Sequence, residues 1–348
     1  MTSILTYKVK HGLDLSSEFE QARLVAEYAV KHGNVSTKEV KHIGMKAAFS
    51  KWVLRHYGRN KKIKRVTNPI FGINPADVVW DKTENTVRVY PLGITLCIGF
   101  VPHKVLKLNT ITFSKEFAHV SVTVEEQESY EPVGWVGVDL NTNGHCAVVA
   151  NPHSGKVVKL GRSTKHTQEK YRRIRSAHQK RGKKALRKVA KRQGRKVNDI
   201  NHKISRKIVQ DARRDSVGIK VEDLKHLRKN VKTSRVFRYA LNSWPYYDLV
   251  TKIEYKARLL GVPFQRVNPA YTSQRCSRCE VVDKANRNGK DYKCSGCGHV
   301  DHADANAAFN IALVETDLSS VDRGAVEGFS VTPQEQKGEG SLALRSFS

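Results

Sequence analysis

The stretch Val133-Gly134-Trp135-Val136-Gly137-Val138-Asp139-Leu140 is an almost unbroken apolar run that closes on a carboxylate. A continuous run of this length, bounded by turn residues, predicts a strand buried on both faces. Working outward, two β-branched runs follow at residues 147–151 and 156–160, with turn residues between them. Further apolar strands are predicted at residues 217–221 and 263–267, and residues 241–260 have helical spacing. Three strands, a helix, a strand, a helix and a strand predict an α/β layer in which helices cover a sheet.

Three acids sit at the ends of these elements. Asp139 closes the first strand and Glu222 closes the 217–221 strand. Asp304 opens a helix in Asp301-His302-Ala303-Asp304-Ala305-Asn306. An acid emerging from a hydrophobic strand is costly to bury unless it is paired or bound to a cation. Three of them converging could hold two Mg²⁺ ions, which activate water and stabilise the leaving oxygen of a phosphodiester. Taken singly, each acid equally suits a cap or an ion pair, Asp304 as a helix N-cap above all.

Cys276-Ser277-Arg278-Cys279 and Cys294-Ser295-Gly296-Cys297 are separated by 14 residues. Two such knuckles place four thiolates around one tetrahedral Zn²⁺ and leave no open position, so this zinc is expected to be structural. Cys97 and Cys146 stand alone in strand-like runs and read as buried thiols.

The charge singles out the partner class. The 348 residues carry 62 Lys and Arg against 33 Asp and Glu, a net charge of +29, with 39% hydrophobic residues. That length suggests two domains of about 150 residues, and the charge favours a polyanionic nucleic acid over a membrane surface. No apolar run approaches the roughly 20 residues of a membrane span. Asp14, Glu18 and Glu20 replace any basic-then-apolar leader pattern, so a cytoplasmic, nucleoid-associated location is expected. Residues 162–214 hold 21 Lys and Arg and 3 acids, a net of +18. Arg172, Arg173, Arg175, Lys180, Arg181, Lys183, Lys184, Arg187, Lys188 and Arg192 can line a phosphate backbone from this segment, a long helix with Ile200, Ile204 and Ile208 buried. Gly182 and Gly194 are candidate breaks in it. Residues 315–348 lack periodicity, are acidic and rich in Gly and Ser, and read as a disordered tail.

The N-terminal third begins with a predicted strand at residues 4–10 and two amphipathic helices, each opened by a capping box, Ser17 with Glu20 and Ser36 with Glu39. They are expected to end near Gly33 and Gly58, with strands following at 87–90, 95–100 and 119–125. Lys51, Arg55, Arg59, Lys61, Lys62 and Arg65 are candidate nucleic-acid contacts, beside the aromatic Trp52 and Tyr57. A helix–turn–helix pattern over residues 35–55 is too common to carry DNA reading.

Gly137-Val138-Asp139, Val221-Glu222-Asp223-Leu224, Tyr271-Thr272-Ser273-Gln274-Arg275-Cys276, Cys294-Ser295-Gly296-Cys297-Gly298 and Asp304-Ala305-Asn306-Ala307-Ala308-Phe309-Asn310 occur in this order. In this the chain resembles the TnpB family, accessory proteins of small insertion sequences related to type V CRISPR effectors. The resemblance is strong over residues 134–311, and the N-terminal third resembles archaeal members in layout. It implies a RuvC-type, RNase H-like nuclease domain (residues 131–269 and 301–314) split by a zinc ribbon (270–300). It further implies a β-rich wedge domain (1–130) carrying a helical recognition insertion (about 14–58). By the same resemblance Asp139, Glu222 and Asp304 are the Mg²⁺-binding triad, Asp304 being preferred over Asp301 because Asn306-Ala307-Ala308 fixes the register. The implied partners are a guide RNA from the transposon end and double-stranded target DNA, cut beside a short element-specific motif read by the N-terminal third. Monomer and dimer both remain open. Glu280 and Asn141 stand where Gly is frequent in the family, departures expected to affect turn geometry more than chemistry.

Three rivals share parts of this pattern. A guide-independent transposase would use the same acids, an RNA-guided repressor would grip DNA without cutting, and a zinc-ribbon RNA-binding protein would leave the strand-end acids unexplained.

Overall fold

The computed structural model describes the chain apart from residues 34, 61, 100–102, 142–143, 180–181, 224–245, 316–345 and 348, and for residues 183–184 and 346–347 it describes the backbone alone. Two compact units are present, one within Met1–Glu126 and one within Gln127–Glu327.

In the first unit β1 (Thr2–Lys10) pairs antiparallel along its whole length with β7 (Phe117–Glu125), and β6 (Val105–Phe113) and β2 (Phe71–Ile73) extend that sheet. The strands β3 (Val78–Asp81), β4 (Thr86–Val89) and β5 (Ile94–Cys97) form a separate antiparallel meander. Helix α1 (Ser16–His32) buries Ala22, Val25, Ala26 and Ala29, and α2 (Ala47–Gly58) buries Phe49, Val53, Leu54 and Tyr57. Phe19, Phe49 and Phe113 surround Phe71 with ring centroids 5.0–5.1 Å away, which anchors the helical pair on this sheet. The two helices end where Gly33 and Gly58 stand, as expected, but neither begins at its capping box. Leu15 occupies the first N-cap without a side-chain bond, and Asp14 instead accepts from Ser16. At the second box the Glu39 carboxylate does accept from the Ser36 amide at 2.9 Å, yet it closes a turn, and α2 starts eight residues after Glu39. The same capping chemistry stabilises an isolated turn as readily as a helix start. Cys97 is exposed on the edge strand β5, correcting its reading as a buried thiol.

The second unit is built on a five-stranded sheet in the order β10-β9-β8-β11-β12. Its strands are β8 (Trp135–Leu140), β9 (Ala147–Asn151), β10 (Lys156–Leu160), β11 (Gly218–Glu222) and β12 (Phe264–Val267). The first three run antiparallel as a meander, and β11 and β12 run parallel to β8. Because side chains alternate across a strand, Val136, Val138 and Leu140 point to one face with Ile219 and Val221 beside them. That face packs on α4 (Lys183–Arg214) through Val197, Ile200, Ile204 and Ile208, and on α5 (Tyr246–Leu259) through Leu249 and Ile253. The basic segment is two helices, α3 (Ser163–His178) and α4, parted at Gly182 with φ 80°. Gly194 does not interrupt α4, which continues through it for 32 residues. Of the predicted 241–260 helix, residues 241–245 lie outside the described residues.

Gly137, Asp139, Lys220 and Glu222 share the opposite face, covered by α6 (Ala303–Leu313). The helix comes so close that a Cβ on Gly137 would lie 2.0 Å from the Ala308 carbonyl oxygen, so glycine is required there. Lys220 emerges two residues before Glu222 and donates to the carbonyls of Ala312 (3.1 Å) and Val314 (2.6 Å), satisfying the last turn of α6 with a cation. Between β12 and α6 lies a small antiparallel sheet of β13 (Arg287–Asn288), β14 (Asp291–Lys293) and β15 (Val300–His302). Of the expected 315–348 tail, β16 (Ser346–Phe347) pairs parallel with β1, and residues 316–345 and 348 lie outside the described residues. Among the described residues no helix is long and apolar enough to cross a membrane.

Candidate metal and nucleic-acid sites

The knuckles come together as their spacing requires. All four cysteine sulfurs lie within 4.8 Å of one another, with Cys276 Sγ 3.7 Å from Cys297 Sγ and Cys279 Sγ 3.4 Å from Cys294 Sγ. A tetrahedral Zn²⁺ with Zn–S bonds of about 2.3 Å separates its sulfurs by roughly 3.8 Å, so the set fits that ion. The amides of Gly296 and Cys297 point at Cys294 Sγ from 3.3 and 3.4 Å and favour its thiolate, the ligating form. Asn306 on α6 ties this module to the helix, accepting from the Ser277 amide at 2.9 Å and donating to the Arg275 carbonyl at 2.8 Å. Asn310, one turn on, donates to the carbonyls of Thr272 (2.8 Å) and Arg275 (2.6 Å). Asn306 and Asn310, four residues apart, thus clamp one face of the helix to the knuckles, while Asp304 leaves the helix from another side toward Lys290.

The same helix carries Asp304 to the carboxyl ends of β8 and β11, the end of an open α/β sheet where ligands bind. Asp304 is not the N-cap. His302 holds that position and accepts from the Asp304 amide at 3.3 Å, which frees the carboxylate. Asp304 is 2% exposed and Asp139 9% exposed, while Glu222 is half-buried. Burial, then the neighbouring Glu222 and Asp304 charges, push the Asp139 carboxyl up to about 7. Burial also raises Glu222, against the hydrogen bond it receives from Thr272 Oγ1. The three acids therefore interact electrostatically at one end of the sheet. Their oxygens are not drawn into a single cluster as the cysteine sulfurs are. A donor set of buried carboxylates that repel one another fits a hard divalent cation, whose charge would offset both burial and repulsion.

Two cations from the small sheet supply part of that charge. Lys290 Nζ lies 2.5 Å from Asp304 Oδ2, and Arg287 reaches Asp304 Oδ1 at 3.5 Å. Lys290 Nζ also lies 3.4 Å from Asn141 Oδ1, and Asn141 donates to Asp139 Oδ2 at 2.7 Å. One network therefore runs from Asp139 through Asn141 and Lys290 to Asp304. Asn141 was expected to matter for turn geometry more than for chemistry, and its amide touches both Asp139 and Lys290. Sequence reasoning assigned no role to Thr272, Arg287, Lys290 or Lys220. Their visible signals are slight: Thr272 lies within the Tyr271–Cys276 motif, Lys220 stands two residues before Glu222, and the two other cations lie between the knuckles. Asp301 is separate, accepting from the His302 amide at 2.6 Å.

Of the candidate nucleic-acid contacts, Lys51, Arg55, Arg59, Lys62 and Arg65 are exposed in the first unit, and Lys61 lies outside the described residues. Trp52 is half-buried, lying against Gly72 on one side and stacked on His56 with centroids 4.6 Å apart. Tyr57 is buried and donates no open face, its hydroxyl accepting from the Ile70 amide at 3.0 Å. In the second unit Arg172, Arg173, Arg187, Lys188 and Arg192 are exposed along α3 and α4. Arg175 is instead half-buried and donates to the buried Gln193 at 2.8 Å, so it joins α3 to α4. Lys180 and Arg181 lie outside the described residues, as do the side chains of Lys183 and Lys184.

Residues 246–311 match the family model of the Cas12f1-like TNB domain. Over 119 residues, 34% of this chain, the sequence is 43% identical to a CRISPR-associated endodeoxyribonuclease Cas12f1 from Sulfoacidibacillus thermotolerans, of which the match spans 27%. Over 137 residues, 39% of this chain, it is 38% identical to the TnpB-like protein MJ0751 of Methanocaldococcus jannaschii, of which the match spans 49%. The matches thus span half or less of these curated relatives. A solved Cas12f1–sgRNA–target DNA complex aligns with a TM-score of 0.45 and 16% identity, covering 90% of this chain and 99% of that one. From Tyr246 to Ile311, across the end of the sheet, the cysteine cluster and the acid-bearing helix, the chain carries a Cas12f1-like TNB domain and is a relative of the TnpB-like proteins.

Proposed function

We propose that the chain is an RNA-guided, Mg²⁺-dependent endonuclease that cleaves double-stranded DNA beside a short transposon-associated motif, guided by an RNA from the transposon end. The observation that carries this reading is the meeting of Asp139, Glu222 and Asp304 at one end of a sheet of three antiparallel and two parallel strands. That strand order supports an RNase H-like, RuvC-type nuclease layer over residues 131–269 and 301–314, with the zinc ribbon at 270–300 inserted into it. Residues 1–130 are then a wedge domain with a helical recognition insertion, and the exposed cations of α2 and its following loop contact the flanking duplex.

Asp139, Glu222 and Asp304 would hold the catalytic ions, and Cys276, Cys279, Cys294 and Cys297 the structural zinc. Bound Mg²⁺ supplies an activated water and stabilises the leaving oxygen of the phosphodiester. The chain supplies position. Thr272 fixes one Glu222 oxygen, Asn141 fixes one Asp139 oxygen, and Lys220 holds the α6 terminus opposite Asp304. Arg287 and Lys290 add positive charge at the edge of the site, where a phosphate must approach three carboxylates. The exposed cations of α3 and α4 grip nucleic-acid backbone without reading sequence, and base pairing with the guide reads it.

Asp139→Asn keeps the shape and removes the charge. It is expected to abolish cleavage of a matched duplex while leaving RNA binding within a factor of about two, measured by gel cleavage and filter binding on one preparation. A variant that still cuts removes Asp139 from the site. Joined transposon ends formed by the RNA-free protein would move the assignment to a transposase.

A further inference from the structure

Thr272 holds Glu222, and the residue before it is the one aromatic with a positive φ among the described residues. Tyr271 has φ +62°, a left-handed backbone that glycine adopts freely and a bulky residue rarely does. Its backbone is fixed from several sides. The Tyr271 carbonyl accepts from the amides of both Gln274 and Arg275 at 2.9 Å, and Ala270 donates to Asn268 Oδ1 at 3.0 Å. On the next residue, Thr272 Oγ1 donates to Glu222 and the Thr272 carbonyl accepts from Asn310. The turn is therefore set by its neighbours, and the tyrosine ring contributes nothing to fixing it. Tyr271 is 64% exposed, and among the described residues its ring enters no aromatic or cation–π contact.

A conformation that favours glycine thus carries a large planar side chain in solvent, one residue from the hydroxyl that holds a triad acid. Strain of this kind persists where the surroundings over-determine it and where the side chain is needed outside the fold. We infer that the Tyr271 ring is a stacking site for a nucleobase of single-stranded nucleic acid at the three-carboxylate site. The chemistry is the π face of one base on the π face of the phenol, which is tolerant of base identity. A base is available for it only where the strand is unpaired, so the site takes the separated strand and not the intact duplex. Stacking one base beside Glu222 fixes the adjoining phosphate relative to the acids, which makes Tyr271 a positioning residue. This inference rests on the acids being a phosphodiester site.

The test uses the full chain, with whatever RNA purifies with it, and a single-stranded DNA whose thymines are replaced by 5-iodouracil. Irradiation couples iodouracil to an aromatic ring stacked on it, and mass spectrometry locates the adduct. The expected adduct is on Tyr271. Tyr271→Trp should keep an adduct at this position, whereas Tyr271→Gly should lose it and bind the strand about five-fold or more weakly. Tyr271→Gly should also melt at the same temperature as the parent or higher, because glycine relieves the strained φ. Adducts confined to other residues, strand binding undiminished in Tyr271→Gly, or a lower melting temperature for that variant would each overturn the proposal, the last by showing that the ring supports the fold. Adduct formation at Tyr271 in a protein that never cleaves would leave the stacking site standing and remove the nuclease reading instead.

Discussion

Glu280 shows how a single position can be read correctly as unusual and incompletely as to why. It follows the first knuckle where glycine is frequent in the family, and its φ of +65° is the left-handed turn that glycine would serve. The exposed Glu280 carboxylate pairs with Arg275 at 2.5 Å, a surface ion pair of small worth. Left-handed backbone costs a non-glycine residue roughly 1–2 kcal/mol, and glycine's extra chain entropy returns about half of that. Glu280→Gly is therefore expected to stabilise the zinc-loaded protein by about 0.5 kcal/mol, read as a rise in denaturation midpoint. Asp139 and Glu222 stood out in the sequence because a carboxylate closing an apolar strand is costly to bury alone, and Asp304 only through the Asn306-Ala307-Ala308 pattern that follows it. Asn141 and Lys290 were not, because their contacts exist only once the hairpin between the knuckles folds back onto the sheet end.

At the scale of elements, legibility followed the apolar period. Strands β9 and β10 occupy the predicted residues without adjustment, and β8 and β11 begin one or two residues late, since unbroken β-branched runs bounded by turns have one reading. Strands β2 and β3 are three and four residues long, and β6 has two register shifts that scramble its alternation, so none was anticipated. The α4–α5 pairing was hidden for another reason: part of it is polar. Lys256 on α5 is buried and donates to the His202 carbonyl at 2.7 Å and to Ser205 Oγ at 2.6 Å, both on α4. Burial, with Arg206 and Lys252 nearby, brings its ammonium down to about 7. The unfolded chain holds that proton up to its ordinary range near 10.5, so between about 7 and 10.5 the native state binds fewer protons than the unfolded one. Stability from this group therefore rises with pH across that window and its cost is greatest below it. Relative to Lys256→Met, the parent protein is expected to gain about 1 kcal/mol per pH unit between pH 7 and 9 in urea denaturation.

For the whole molecule, the net charge of +29 has a location. Residues 162–214 account for +18, and among the described side chains of α3 and α4 every Lys and Arg except Arg175 is exposed. Neutralising Arg172, Arg173, Lys188 and Arg192 to Gln should flatten the plot of log affinity against log salt by about 3 to 4 for duplex DNA, with little change between sequences. Arg175→Gln belongs to a different class, since its partner is Gln193; it should loosen α3 on α4 and alter the slope least.

The clamps of Asn306 and Asn310 carry one more consequence. They join the knuckles to the helix that presents Asp304, while the cationic surface of α3 and α4 is anchored on the other face of the sheet. Withdrawing zinc with a chelator should dismantle the first and spare the second. Cutting is then expected to fall at least ten-fold while grip on nucleic acid holds within about two-fold, readable in one titration of chelator against cleavage and binding. On the proposed function, a zinc-starved cell would hold a protein that occupies its target without cutting it, and a magnesium-dependent activity would be tied to the nutritional supply of a different metal.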